Sequence, residues 1–137
     1  MKAKLKDAIA TCVKLSVPKG LCSNGPHGSI AEWDVSRVTD MRGVFANTNY
    51  FTGDTSKWDV SGVTSMSRMF MRATSFNGDL SNWDVSSVTD TTFMFTWASA
   101  FNSDISKWDV SNVTNMDMMF LNAASFNQKL CGASWVN

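Results

Sequence analysis

Apolar residues recur along the chain with a period of 25 residues. Each unit opens with a tryptophan followed by Asp-Val-Ser, and these tryptophans are Trp33, Trp58, Trp83 and Trp108. A Val-Thr pair, a Met-Phe or Val-Phe pair and a final phenylalanine follow in the same register in every unit. A fixed period of this length is the signature of a repeat architecture, so the repeat has to be interpreted before any single motif.

The apolar spacing changes between the two halves of a unit. The opening Leu-x-x-Trp-x-Val-x-x-Val, residues 80–88, has the spacing of a leucine-rich-repeat strand and the turn after it. The stretch from Thr89 to Phe101 steps by three and four residues, which indicates a short helix or two 3-10 turns with Thr89 as the N-cap. We therefore predict an α/β repeat solenoid, leucine-rich-repeat-like, with right-handed coils of a short parallel strand plus helical turns.

Four such coils span residues 33–130. Stacked coils bring equivalent residues to about 4.8 Å at the strands, so the sequence predicts vertical ladders of tryptophan, valine and phenylalanine in the core. The methionines, nine in all, are expected to fill irregular gaps between coils, because their side chains are flexible.

The segments on either side of the repeats are expected to cover its ends. Residues 1–32 are predicted to form an N-terminal cap, with an amphipathic helix from about Ala3 to about Leu15 that presents Leu5 and Ile9 to the core. Pro18-Lys19-Gly20 should end this helix, and a turn-rich segment over 23–28 should lead into the first coil. The tail, residues 131–137, has no obvious polar cap, which makes Trp135 a possible docking end.

Composition and charge exclude some classes of function. The chain has 137 residues, the size of one ordinary domain, with twelve basic residues against twelve acidic ones. A net charge of zero gives no overall field that would attract nucleic acid. No apolar run approaches the roughly 20 residues of a membrane helix, so no transmembrane segment is expected.

The repeat phrase resembles that of a known family. It reads W-D-V-S-x-V-T-x-M-x-x-M-F-x-x-A-x-x-F-N-x-D-L/I-S and extends from Trp33 to Leu130. This phrase is similar to the BspA-like leucine-rich-repeat surface proteins, in the 25-residue branch described as a domain of unknown function from Mycoplasma lipoproteins, with similar arrays in single-celled algae. The resemblance implies adhesion or protein binding at cell surfaces, without enzymatic activity. Departures from the phrase are Thr55, Thr91 and Lys129.

The chain lacks the residues that common catalytic sites need. His27 is the single histidine and lies in the predicted cap, so general acid-base chemistry has no second imidazole to use. Phosphate-binding glycine loops and the zinc-protease motif are also missing. We therefore expect no catalytic residue, no metal site and no cofactor.

Two polar features leave alternatives open. Cys12 and Cys22 could form a disulfide and leave Cys131 over, or all three could be free thiols; a disulfide would favour an extracellular surface or an organelle lumen over the cytoplasm. Two aspartate ladders could bind calcium, or their carboxylates could accept bonds from the amides of the next coil. They are Asp34, Asp59, Asp84 and Asp109, and Asp54, Asp79 and Asp104.

The function predicted is a non-catalytic protein-binding or scaffolding module, with another protein as partner. The contact surface is expected on the strand face, with specificity at the third position of each set: Asp34, Ser36, Arg37; Asp59, Ser61, Gly62; Asp84, Ser86, Ser87; Asp109, Ser111, Asn112. An alternative is an ice- or carbohydrate-binding surface on the ladder Thr39, Thr64, Thr89 and Thr114. A third possibility is a subunit that docks into a larger assembly through its C-terminal end.

Overall fold

The computed structural model describes residues 2–16, 20–23 and 25–136. Its one α-helix in this part of the chain, α1, spans Lys2–Leu15, and short 3-10 helices span Ile30–Glu32 and Ala133–Trp135. The helix predicted near the N-terminus is therefore present, and it buries Leu5, Ile9 and Cys12, while Leu15 is exposed. The predicted stop at Pro18-Lys19 lies outside the described residues.

The prediction of an α/β repeat solenoid is wrong. The described residues contain no β-strand and no sheet, and α1 is not part of a repeat. The β-type pairing between units consists of isolated parallel β-bridges, which pair Asp40 with Ser65, Ser65 with Asp90, and Asp90 with Asn115. The repeats are therefore built from successive turns and not from strands or helices.

Two tight turns replace the strand predicted over 80–88. The N–H of Trp83 donates to the main-chain oxygen of Leu80 at 3.1 Å, and the N–H of Val88 donates to that of Val85 at 2.9 Å. These amides are satisfied by the main-chain oxygen three residues earlier, so they cannot take part in a ladder between units. The apolar spacing correctly indicated which side chains face the core. It did not indicate the backbone conformation that places them there.

Over 89–101 the chain forms separate single turns, such as the one that the N–H of Met94 closes on the main-chain oxygen of Thr91 at 3.0 Å, but no helix. Phe93 and Trp97 have positive φ angles of 56° and 60°, the left-handed region, which interrupts any right-handed helix. The predicted N-cap is wrong as well, because Thr89 donates from both its N–H and its hydroxyl to the main-chain oxygen of Thr64 in the preceding unit.

Regular hydrogen bonds hold neighbouring units together. In each of the first three units, four alternate backbone amides donate to the next unit along the chain at 2.8–3.0 Å. In the first unit these donors are Met41, Gly43, Phe45 and Asn47, and their acceptors are Ser65, Ser67, Met69 and Met71. The units therefore stack in a fixed register of about one period, although no strand forms.

Aromatic rings form the centre of this stack, as the sequence predicted. Phe70 and Phe95 lie 5.7 Å apart between ring centroids, with their planes within 2° of parallel. Within one unit Phe95 also stacks on Phe101 at 3.8 Å, so two phenylalanine columns run side by side. Trp83 and Trp108 stack at 6.5 Å. Parallel rings at these distances add attraction to the burial of large apolar area.

Candidate partner-binding surfaces

The twelve predicted contact residues lie on tight turns and not on a strand face. In the third unit an oxygen of Asp84 accepts hydrogen bonds from the N–H of Ser86 at 3.0 Å and from its hydroxyl at 2.6 Å. The same turn forms around Asp34, Asp59 and Asp109. The four turns repeat once per unit along one edge, and all twelve residues are exposed except the half-buried Ser86.

Each turn supplies the bonds that its carboxylate needs. The hydroxyl of Ser86, and then its N–H, lower the pKa of Asp84, whereas the negative charges of Asp59 and Asp109 raise it by a smaller amount. The second aspartate column, Asp54, Asp79 and Asp104, shows the same lowered pKa from its own serines. Repulsion between stacked carboxylates is therefore offset within each turn. These bonds go to the same unit, and not to the next coil as predicted.

The third position of each turn differs between units. Arg37, Gly62 and Ser87 are exposed, while the side-chain amide of Asn112 donates to the main-chain oxygen of Ser86 at 2.7 Å. No group of three histidine, cysteine or acidic side chains converges as a metal site within the described residues. Apart from the exposed Arg37, this edge therefore offers short polar groups that are mostly occupied by their own turns.

The threonine column uses its hydroxyl hydrogens inside the stack. The hydroxyls of Thr64, Thr89 and Thr114 each donate to the main-chain oxygen of the threonine one unit earlier, at 3.1 Å. Their N–H groups donate to the same oxygens. In an ice- or carbohydrate-binding ladder, Thr64, Thr89 and Thr114 would therefore have only their hydroxyl lone pairs to offer a ligand.

Sequence reasoning missed a second surface, which is marked by left-handed backbone. Two positions in every unit have positive φ, and Gly43 and Asn47 are the residues found there in the first unit. Glycine and asparagine adopt this conformation readily, whereas other side chains cost roughly 1–2 kcal/mol each. The remaining members are Arg68, Phe93 and Met118 at one position, and Arg72, Trp97 and Asn122 at the other.

The two middle units carry large side chains at these positions, of which Arg68, Arg72 and Trp97 are exposed and Phe93 is half-buried. The guanidinium carbon of Arg68 lies 5.5 Å from the ring centroid of Phe93, a cation–π contact. Trp97 is 49% exposed, although it is one of the largest residues of the chain. We call Arg68, Arg72, Phe93 and Trp97 the left-handed face. The one sequence signal for it was that Trp97 replaces smaller residues at this position of the other units.

A shallow cavity lies beside Trp97. It has a volume of about 300 Å³ and is lined by Asn49, Arg72, Thr74, Trp97 and Ser99. The hydroxyls of Thr74 and Ser99 donate to main-chain oxygens of Asn49 and Thr74 in the preceding units. The cavity is therefore lined by an aromatic ring and a cation, and its other side chains have few hydrogen-bond donors left for a ligand.

Trp135 packs at the C-terminal end of the stack. It is half-buried, and its indole N–H is buried without a hydrogen-bond acceptor among the described residues. The hydroxyl of Ser134 beside it donates to the main-chain oxygen of Trp108 at 2.9 Å. Trp135 thus covers part of the last unit, and its predicted role as a docking end stays a prediction.

The remaining chemistry-bearing residues are the three cysteines and the single histidine. Cys12 and Cys22 form a disulfide that joins α1 to the following loop, with their Cα atoms 5.3 Å apart, and Cys131 is free and exposed. His27 is exposed, and its main-chain oxygen accepts a hydrogen bond from the indole of Trp33 at 3.0 Å. It therefore serves the packing of the first unit.

Within the described ranges, no helix has the length and apolar character needed to cross a membrane. Comparison with curated proteins and with solved structures gives no match for the chain. A family model described as "Mycoplasma protein of unknown function, DUF285" matches residues 21–135, which include all four units and both short 3-10 helices. The chain therefore belongs to this DUF285 family.

Proposed function

We propose that the chain is a non-catalytic protein-binding or scaffolding module whose contact surface is the left-handed face. We propose also that the chain is related in sequence to the BspA-like surface proteins, on the basis of the repeat phrase. Adhesion at a surface and a structural place in a larger assembly are both forms that this function could take.

One observation carries the choice of surface. Arg72 and Trp97 occupy a left-handed position at which Asn47 and Asn122 stand in the outer units. Strained conformations of this kind persist where the surrounding structure enforces them, and they concentrate at ligand-binding sites. Trp97 gains little burial in return, because about half of it remains exposed. A residue that breaks a local rule without a compensating gain in packing supports a role in binding.

The residue types support the same surface. Tryptophan and arginine are enriched among the few residues that dominate the binding energy of protein interfaces. The aspartate-serine turns are a weaker candidate, because their carboxylates and hydroxyls already bond each other. The threonine column has no comparable free side chain, so no specific observation favours ice or carbohydrate as its ligand.

The test compares two variants of the tagged chain, isolated from its native source with its stoichiometric companions. Arg72→Asn with Trp97→Asn introduces the residue of the outer units, so its melting temperature should hold or rise while the companion is lost. The matched control, Arg37→Ala with Ser87→Ala, changes two exposed positions of the turn edge and should keep the companion.

If only the control variant lost the companion, the contact surface would lie on the turn edge and not on the left-handed face. Absence of any stoichiometric protein from the unaltered chain would contradict the protein-binding function itself. Crosslinks from the companion to residues near Trp97 would support the proposed surface directly.

A further inference from the structure

Charge is distributed unevenly around the stack. Trp97 belongs to one of four equivalent stretches, residues 43–52, 68–77, 93–102 and 118–127, which together contain only two charged residues, Arg68 and Arg72. All twelve acidic residues of the chain lie outside these stretches. The charged side chains exposed from these stretches are therefore both positive, although the net charge of the chain is zero.

Both arginines have donors to spare. Within the described part of the chain, the Arg72 side chain makes no hydrogen bond or ion pair, and the Arg68 side chain makes only its contact with Phe93. Arg42, by contrast, uses its guanidinium donors within the chain, because it forms a bidentate pair with Asp40 at 2.8–3.1 Å. The left-handed face thus presents two guanidinium groups suited to carboxylates.

The cavity beside Trp97 favours an apolar group over a neutral sugar. Thr74 and Ser99 use their hydroxyl hydrogens within the stack, which leaves few donors for sugar hydroxyls. The exposed indole offers a flat apolar surface to an aliphatic or aromatic side chain. Two cations are too few for the phosphate contacts by which nucleic acids bind.

We propose, given the protein-binding function above, that the partner presents an acidic peptide segment to this face. An aromatic or aliphatic side chain of the segment packs on Trp97 in the cavity, and carboxylates on either side of it pair with Arg72 and Arg68. The apolar anchor excludes water around the ion pairs, which strengthens them compared with pairs at an open surface.

The test uses a displayed library of random 12-residue peptides, selected on the 137-residue chain at physiological salt. The selected peptides should be enriched in aspartate and glutamate next to tryptophan, phenylalanine or leucine. The affinity of a representative selected peptide should fall at least about tenfold in Arg72→Asn and in Trp97→Asn. Arg72→Lys keeps the charge without the bidentate geometry and should lose less.

The turn-edge variant Arg37→Ala with Ser87→Ala is the control, and its affinity for the peptide should be unchanged. Enriched peptides that depend on the turn edge, or that lack acidic residues, would overturn this inference and leave protein binding intact. If no peptide is enriched while acidic oligosaccharides on a glycan array bind in a Trp97-dependent manner, both this inference and the protein-binding function fail.

Discussion

The indole N–H of Trp83 donates a hydrogen bond of 2.9 Å to the main-chain oxygen of Thr55, 28 residues earlier. The same oxygen accepts the N–H of Trp58 at 3.1 Å, so one carbonyl joins a local turn to the next unit. Equivalent bonds run from Trp58 to Ile30 and from Trp108 to Leu80. The tryptophans therefore fix the register of the stack as well as filling its core.

Trp83→Phe should lower the free energy of unfolding by about 2 kcal/mol. The substitution removes this buried hydrogen bond and leaves unfilled volume behind a smaller ring. Urea denaturation measures the loss. Trp33→Phe is the control, because Trp33 is half-buried and bonds to the oxygen of exposed His27. Equal losses in the two variants would show that the bond between units contributes little.

Thr55→Val should stabilise the protein by about 1 kcal/mol. The hydroxyl of Thr55 is buried without a hydrogen-bond partner, in a column otherwise occupied by Ile30, Leu80 and Ile105. Replacing it with a methyl group of similar size removes the cost of burying an unsatisfied polar atom. Thr64→Val is the control, because that hydroxyl donates to Thr39 and its removal should bring no gain. A lower melting temperature for Thr55→Val would contradict the assignment of this hydroxyl as unpaired.

Acid should destabilise the folded chain through its aspartate turns. Serine hydroxyls and amides lower the pKa of seven aspartates below the ordinary value of 3.8: Asp34, Asp54, Asp59, Asp79, Asp84, Asp104 and Asp109. A folded-state pKa below the unfolded one contributes stability above the unfolded pKa, and this stability is lost as the pH falls through the folded pKa. The melting temperature should therefore be nearly constant from pH 7 to about pH 5 and fall below about pH 4.

Asparagine at two of these positions provides the control for acid sensitivity. In Asp59→Asn with Asp84→Asn the amide oxygen still accepts the serine N–H but does not titrate. The fall in melting temperature below about pH 4 should become shallower in this variant. An unchanged acid limb would mean that other groups cause the transition.

Cysteine labelling should distinguish the disulfide from three free thiols. Under denaturing conditions without reductant, an alkylating reagent should modify one cysteine, Cys131, and after reduction it should modify three. Cys12→Ser with Cys22→Ser should lower the free energy of unfolding by about 2–4 kcal/mol, because the unfolded chain regains the freedom that the cross-link removes. Intact mass spectrometry gives the count directly, and three modified cysteines without reductant would exclude the disulfide.

The sequence predicted side-chain positions well and backbone conformation poorly. Phe70 and Phe95 stack as their 25-residue spacing indicated, because a fixed period places equivalent residues in one column. The prediction of a strand over 80–88 was wrong because alternating core positions are also compatible with successive tight turns. Trp97 gave no signal of left-handed backbone, since glycine and asparagine are the residues from which that conformation is normally inferred. The candidate surface depends on that conformation, so the sequence marked it only by the replacement of smaller residues by Trp97.

The identical bonding of successive units has a consequence for how such a protein can evolve. Each of the first three units donates four amides to the next unit, and the indoles of Trp58, Trp83 and Trp108 each bond a main-chain oxygen 28 residues earlier, so neighbouring units meet in nearly the same way along the stack. Duplication or loss of one whole 25-residue unit would leave every column in register, whereas insertion of a single residue within the bonded part of a unit would shift that unit against its neighbours. Change in length is therefore tolerated in whole units, and each added copy brings two new left-handed positions at which a different side chain can be tried.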